Sequence, residues 1–179
     1  MTITTFPWDH PRPQQSQIHL DVVPEGVLHR LAAGDSASLA LQYVSPYLAG
    51  PDCAGLWRMR SKQIKEHPSD AAWVTRLIVD PSITVPVGLA GFHGAPDAVG
   101  MVELGYRVDP EFRRRGYARH ALEILLAVAQ RHPDVRTVRA TISPDNAASL
   151  ALINSYGFVE NGEQWDEEDG REIIFETPA

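Results

Sequence analysis

"VGMVELGYRVDPEFRRRGYARHAL", residues 99–122, decides the fold. Its first ten residues are mostly β-branched, apolar or aromatic and read as a strand over 99–108. The link "VDPEF" is tight. Beyond it, Ala118, Ala121, Leu122, Leu125 and Ala129 recur at three- and four-residue steps, which predicts an amphipathic helix over about 114–131. "VRTVRATI" (135–142) then returns to the strand pattern. A strand–helix–strand unit of this kind requires parallel strands joined by a right-handed crossover.

The same stretch holds an electrostatic conflict. The chain has a formal net charge of −7, yet Arg113, Arg114, Arg115 and Arg119 crowd together. They fall at the predicted helix start, where unpaired N–H groups already supply about half a positive charge. Acidic residues are preferred there, so a ligand carrying negative charge resolves the conflict. Gly116 has no Cβ and lets an anionic group approach the backbone, and Ala118 keeps the next turn small. A pyrophosphate fits such a cradle. A solvated, arginine-rich helix start is the competing reading of these residues taken alone. There is no G-x-x-x-x-G-K-[ST] loop, and the glycines of "GLAGFHG" are not spaced as a dinucleotide fingerprint.

Outward from this core the sequence predicts a single domain. Residues 1–17, with Pro7, Pro11 and Pro13, read as a flexible N-terminal arm, and the domain spans 18–176. "IHLDVV" (18–23) is a first strand, followed by a short helix from Pro24 to near Gly34. Asp35 is placed to cap a second helix through Val44, "SPYLAGPDCAG" is a loop, and another helix runs over about 55–66. Strands over 71–80, 83–94 and 99–108 are joined by turn residues and read as consecutive and antiparallel, Pro86 weakening the middle one. "SPDNAASLALINSYG" is a capped helix with Gly157 past its end, and the last hairpin turns at Asp169-Gly170. The fold class is α+β: a mixed, mostly antiparallel sheet with helices on both faces.

Composition narrows the function classes. The chain is 44 % hydrophobic and 22 % charged, as expected for an ordinary globular protein. An acidic balance with only a local arginine cluster argues against nucleic acid as a partner. No apolar run approaches the ~20 residues of a membrane span, and "MTITTFPWDHPRPQQSQ" lacks a signal-peptide core, so no membrane role and a cytoplasmic location are expected. Cys53 is the single cysteine and reads as a buried thiol without a catalytic partner.

Several of these motifs, in order, resemble the GNAT acyltransferases. Their motif R/Q-x-x-G-x-G/A matches Arg113, Gly116 and Ala118. The strings "GFHGAPDAVGMVELGYRVDPEFRRRGYARHAL" and "SPDNAASLALINSYGF" resemble the ribosomal-protein N-terminal (Rim-type) branch in particular. The likeness covers about residues 18–176 and is strongest over 91–158. It implies an acetyl-CoA-dependent N-acetyltransferase that moves the acetyl group directly to a primary amine, with acetyl-CoA as co-substrate and no metal. The acceptor would be a protein or peptide N-terminus or a small-molecule amine, and a homodimer stays open. A non-catalytic acyl-CoA-binding sensor of the same fold is the rival from a different class, because fold alone does not settle activity.

The resemblance also distributes roles. The cofactor-binding set it implies is Tyr106, Arg107 and Val108, whose backbone would hold pantetheine and polarise the thioester, then Arg113, Arg114, Arg115, Gly116, Tyr117, Ala118 and Arg119 for the pyrophosphate. Asn146 would bond the pantetheine arm as well as cap its helix. Where many relatives place a tyrosine that protonates the leaving thiolate, this chain has Ile153, and the branch instead offers a serine, here Ser149. The chain also departs from the common Thr-Glu-Ala, having Arg119-His120-Ala121. Glu103 is the candidate general base, acting through water, because it is a carboxylate inside an otherwise apolar strand beside the cofactor loop. Burial is expected to raise its pKa. An ion pair with Arg107, four residues on and on the same face, is the alternative. His93 and His120 are lesser proton carriers, Tyr156 reads as packing, and "EQWDEEDG" (163–170) reads as a solvated hairpin that can attract a cationic amine.

Overall fold

The strand quoted first is β5 (Met101–Val108), and the sheet is built around it. Val102 and Leu104 are buried on one face, while Glu103 and Gly105 occupy the other, as strand alternation requires. The structure, a computed structural model, describes residues 6–167 and 170–179. Before β5 come β1 (Trp8–Asp9), β2 (His19–Val22), α1 (Glu25–Ala32), α2 (Pro51–Glu66), β3 (Arg76–Val79) and β4 (Gly88–Phe92). After it come α3 (Tyr117–Arg131), β6 (Thr137–Ile142), α4 (Ala147–Asn154), β7 (Val159–Asp166) and β8 (Gly170–Pro178).

The strands form one sheet in the order β1-β2-β3-β4-β5-β6-β8-β7. Neighbours are antiparallel except β5 and β6, which α3 connects in parallel. Leu20, Ile78, Ala90, Leu104 and Val138 pack against Leu122, Leu125 and Ile153 of α3 and α4. On the opposite face Leu77, Leu89 and Val74 pack against Leu28, Trp57 and Ile64 of α1 and α2. The mixed, mostly antiparallel sheet with helices on both faces is therefore as the sequence implies.

Local differences have local causes. α3 begins at Tyr117, later than expected, because Arg114 (φ 65°) and Gly116 (φ 87°) both take the left-handed conformation and break the helical path. No α-helix spans 35–44: the Asp35 carboxylate accepts from Arg30 Nε at 3.0 Å instead of capping, and only a 3-10 turn forms at Leu41–Tyr43. α2 starts at Pro51, four residues early, with Gly50 before it and Asp52 in its first turn. The strand expected over 83–94 is confined to Gly88–Phe92, beyond Pro86. Asp169 of the expected last turn lies outside the described residues, and Gly170 opens β8 at φ 77°.

The loose-arm expectation fails at Trp8–His10. Trp8 pairs with Leu20, and the buried Arg76 guanidinium lies 3.5 Å from its ring centroid. Arg76 also donates to the carbonyls of Phe6 (2.9 Å) and Ala72 (3.0 Å), tying the arm to the sheet. The aromatic–guanidinium contact supplies the burial that the proline-rich sequence does not advertise.

Candidate functional site

Pairing between β5 and β6 runs Met101↔Thr137, Val102↔Val138 and Glu103↔Arg139, and there it stops. β5 continues on β4 as far as Val108, and β6 continues on β8 as far as Ile142. The two central strands thus open a wedge whose vertex is Glu103. His93 N donates to Glu103 O (2.7 Å) and Asp109 N to Val87 O (3.0 Å), so odd-numbered residues of β5 turn their backbone groups toward β4. Ladder alternation therefore turns the N–H and C=O groups of Leu104, Tyr106 and Val108 toward the wedge.

The arginine turn closes one end. Asp109, buried, accepts from Glu111 N at 3.0 Å and fixes a 3-10 turn at Pro110–Phe112. Arg113 Nε donates to Val108 O (3.1 Å), and Arg115 donates to Glu111 O (3.1 Å) with its guanidinium 5.4 Å from the Phe112 ring centroid. Gly116, left-handed, stands where the N-cap would be and offers no side-chain cap to the α3 N–H groups. A Cβ at Gly116 would meet nothing nearer than the His120 ring at 3.6 Å, so the turn is open above the glycine. Tyr117 points away and donates to Asp80 Oδ2 (2.8 Å); burial, and then this carboxylate, push its phenol up to about 12. Ala118 and Arg119 begin the helix beside the turn.

Across the wedge, Asn146 Oδ1 accepts from Ser149 N (3.1 Å) and caps α4, and both residues lie at its first turn. Ile153 is fully buried and has no proton to give. The Tyr106 side chain comes to Ser149 instead. Burial raises the Tyr106 phenol, the nearby Ser149 hydroxyl acting against the shift, yet the pair falls short of hydrogen-bond geometry and Tyr106 Oη is left without a partner. The sequence assigned Tyr106 only a backbone role; strand parity alone could not show that its hydroxyl reaches α4.

At the vertex, Thr141 Oγ1 donates to Glu103 Oε1 (2.7 Å), and His93 Nδ1 lies 3.3 Å from the same oxygen. Arg139 is held by Glu176 through Nε (2.9 Å) and Nη2 (2.6 Å). Burial works to raise the Glu103 carboxyl, but the contact and charge of His93, the Thr141 hydrogen bond and the Arg139 charge outweigh it, and the pKa is lowered. The expected upward shift is thus reversed. Glu103 does not pair with Arg107, which donates to Asp52 O at the start of α2.

His120 and Tyr156 lie away from the Glu103 vertex, in a cluster that anchors the arm, with the His120 ring edge toward the Gly116 turn. His10 Nε2 contacts Glu123 Oε2 (2.6 Å), Arg12 Nη2 contacts Glu123 Oε1 (3.0 Å), and Tyr156 donates to Glu123 as well. Burial opposes it, but the hydrogen bonds from Tyr156, His10 and Arg12 hold the Glu123 carboxyl down at about 2. Burial and then this carboxylate push Tyr156 up to about 12. His10, His120 and Glu123 offer three ligand atoms within 4.8 Å, but Arg12 and Tyr156 already serve the carboxylate. Cys53 is buried and its thiol is raised by desolvation, as an inert core cysteine would be. A concavity of about 670 Å³ lies at the other end of β5, around Trp73, Gly100 and His132, and none of the predicted site residues lines it. No helix among the described residues is long and apolar enough to cross a membrane.

Residues 28–159 match the acetyltransferase (GNAT) domain family. The chain is 35 % identical over 75 residues to an uncharacterized N-acetyltransferase, YjdG, of Bacillus subtilis (strain 168), covering 42 % of this chain and 45 % of that protein, less than half its length. It is 28 % identical over 152 residues to the L-2,4-diaminobutyric acid acetyltransferase of Streptomyces coelicolor (strain ATCC BAA-471 / A3(2) / M145), covering 79 % and 85 %. Among solved structures it is similar to RimL, a ribosomal L7/L12 alpha-N-protein acetyltransferase in complex with coenzyme A, with a TM-score of 0.62 at 17 % identity, covering 90 % and 93 %.

Proposed function

The chain belongs to the GNAT acetyltransferase family, and from that premise we propose that it moves the acetyl group of acetyl-CoA directly to a primary amine. The observation that carries this is the wedge between β5 and β6, with a cationic, left-handed turn at its mouth. The pyrophosphate sits on the N–H groups from Gly116 to Arg119, with Arg113, Arg114 and Arg115 around it. The open space above Gly116 and its positive φ support that fit. Pantetheine runs down the wedge as an added strand-like segment on the backbone of Tyr106 and Val108, with the Asn146 amide reaching it from α4; the Arg107 backbone, expected to share this role, turns to β4 instead. The thioester then lies near Glu103, where the strands part.

Two proton tasks remain. The amine must lose a proton, which falls to the carboxylate unit at Glu103, and the thiolate must gain one, which falls to Ser149 with the Tyr106 hydroxyl beside it. An α-amine titrates near ~8 and a lysine near ~10.4, so deprotonation at pH 7.4 asks for under ~1 or about 4 kcal/mol respectively. The acceptor is a protein or peptide N-terminus or a small amine in the cytoplasm; the named relatives act on a diamino acid and on a ribosomal protein's α-amine. Free-thiol release from acetyl-CoA over a panel of amines tests the proposal. Release that depends on an amine supports transfer, and tight binding without release identifies a sensor.

A further inference from the structure

We infer that His93 is the group that takes the proton from the attacking amine, and that Glu103 acts on the amine through it. This rests on the acetyl-transfer reading of the wedge. His93 follows β4 directly, at the position that faces Glu103 in the ladder, and its N–H donates to Glu103 O. Its Nδ1 meets the Glu103 carboxylate. A carboxylate only accepts, so Nδ1 carries the proton in the neutral ring and Nε2 is left with a bare lone pair. That Nε2 lies against Gly105, two residues past the last pair at the vertex and on the same face: a Cβ there would stand only 2.9 Å from it. The glycine is what lets the imidazole lie over the β5 backbone at the opening of the wedge.

Exposure orders the two groups. The His93 side chain is 46 % exposed and that of Glu103 is 19 % exposed, so an amine arriving from solvent meets the imidazole first. The lowered pKa of Glu103 makes it a weak base and a good stabiliser of an imidazolium. The backbone that carries His93 is held rigidly: Arg60 Nη1 (3.1 Å) and Gln63 Nε2 (2.7 Å), both from α2, donate to His93 O. Arg60 is buried and bonded to Thr75 and Gln63, and Asp70 holds Gln63 in turn. The charged and polar groups around the unit are therefore Glu103 on β5, Thr141 and Arg139 on β6, Glu176 on β8, Arg60 and Gln63 on α2, and Asp70.

The step balances. The ammonium gives one proton to His93 Nε2, and the freed lone pair attacks the thioester carbonyl carbon. The C–N bond forms, the C–S bond breaks with its electron pair going to sulfur, and the nitrogen gives up a second proton. Of the two protons, one ends on sulfur and one in solvent.

The test is pH-dependent acetyl transfer by the wild type, His93→Gln, His93→Ala and Glu103→Gln, with acetyl-CoA affinity measured alongside. His93→Gln should lower kcat/KM for the amine by about 10²–10⁴-fold and abolish the acidic limb of the profile, with affinity for acetyl-CoA held within about twofold. Glu103→Gln should keep that limb, because the imidazole is still present, while lowering kcat/KM for the amine. Added imidazole should restore turnover to His93→Ala and leave the wild type unchanged, which a merely structural histidine would not show. A folded His93→Gln enzyme within about threefold of wild type, or a His93→Ala enzyme that imidazole does not restore, overturns the inference while leaving acetyl transfer standing. A wild type that acetylates none of the amines overturns both.

Discussion

Glu103 and Arg139 are the last matched residues of β5 and β6, and the strands part immediately beyond them. The next residue on the Glu103 face is Gly105, whose missing Cβ makes room for the His93 ring. Gly105→Ala should therefore push the ring aside without unfolding the sheet, since His93 is partly exposed and can yield. Turnover should drop by about 100-fold, the scale of a 1 Å misplacement, with acetyl-CoA binding nearly unchanged. Steady-state kinetics and calorimetry on the same preparation check both halves.

Gly116→Val places a β-branched residue at φ 87° and a side chain in the space above the turn. The strain of about 1–2 kcal/mol leaves the domain folded. Acetyl-CoA affinity should fall at least tenfold, read by titration calorimetry. A folded variant with wild-type affinity would remove the pyrophosphate from this turn.

How much of this was legible in the sequence depends on distance along the chain. Strand 99–108, the crossover helix and the Asn146 cap were readable because period and capping are local signals. The start of α3 was misjudged because Arg114 adopts a left-handed conformation that arginine rarely takes. Pro51 after Gly50 was a readable signal for the start of α2. The anchored arm was not readable: Trp8 on Arg76 and His10 on Glu123 join residues far apart in sequence. At the site, Glu103 stood out as a carboxylate in an apolar strand, but its partners His93 and Thr141 emerge only from sheet register.

Tyr106 and Ser149 separate chemistry from stability. The Tyr106 hydroxyl is buried without a partner, so Tyr106→Phe removes an unsatisfied group and should leave the melting temperature unchanged or higher. Turnover should nevertheless fall, by about 10-fold in Tyr106→Phe and by more in Ser149→Ala, if the pair delivers the proton to sulfur. Equal kcat in all three enzymes with chemistry rate-limiting would free both residues of that role.

The arm anchor sets a pH dependence of stability. Glu123 is held at about 2 against an ordinary 4.5, so its stabilisation is complete above the ordinary value and is lost as pH falls toward 2. Tyr156 is raised from 10.0 to about 12, so its contribution is complete below 10.0 and is lost as pH rises toward 12. Glu123→Gln should lower the urea midpoint at pH 7 and flatten both slopes. A midpoint that falls equally in wild type and variant between pH 5 and pH 3 would show that the anchor does not stabilise the fold.

Direct transfer is tested most plainly by a single turnover with acetyl-CoA isotopically labelled in its acetyl group, followed by NMR with an amine acceptor present and absent. Under direct transfer the labelled thioester signal decays only with amine, an amide signal grows at the same rate, and no label becomes attached to the protein. A thioester signal that persists with every amine while acetyl-CoA stays bound, or label that accumulates on a protein side chain before reaching the amine, would contradict it.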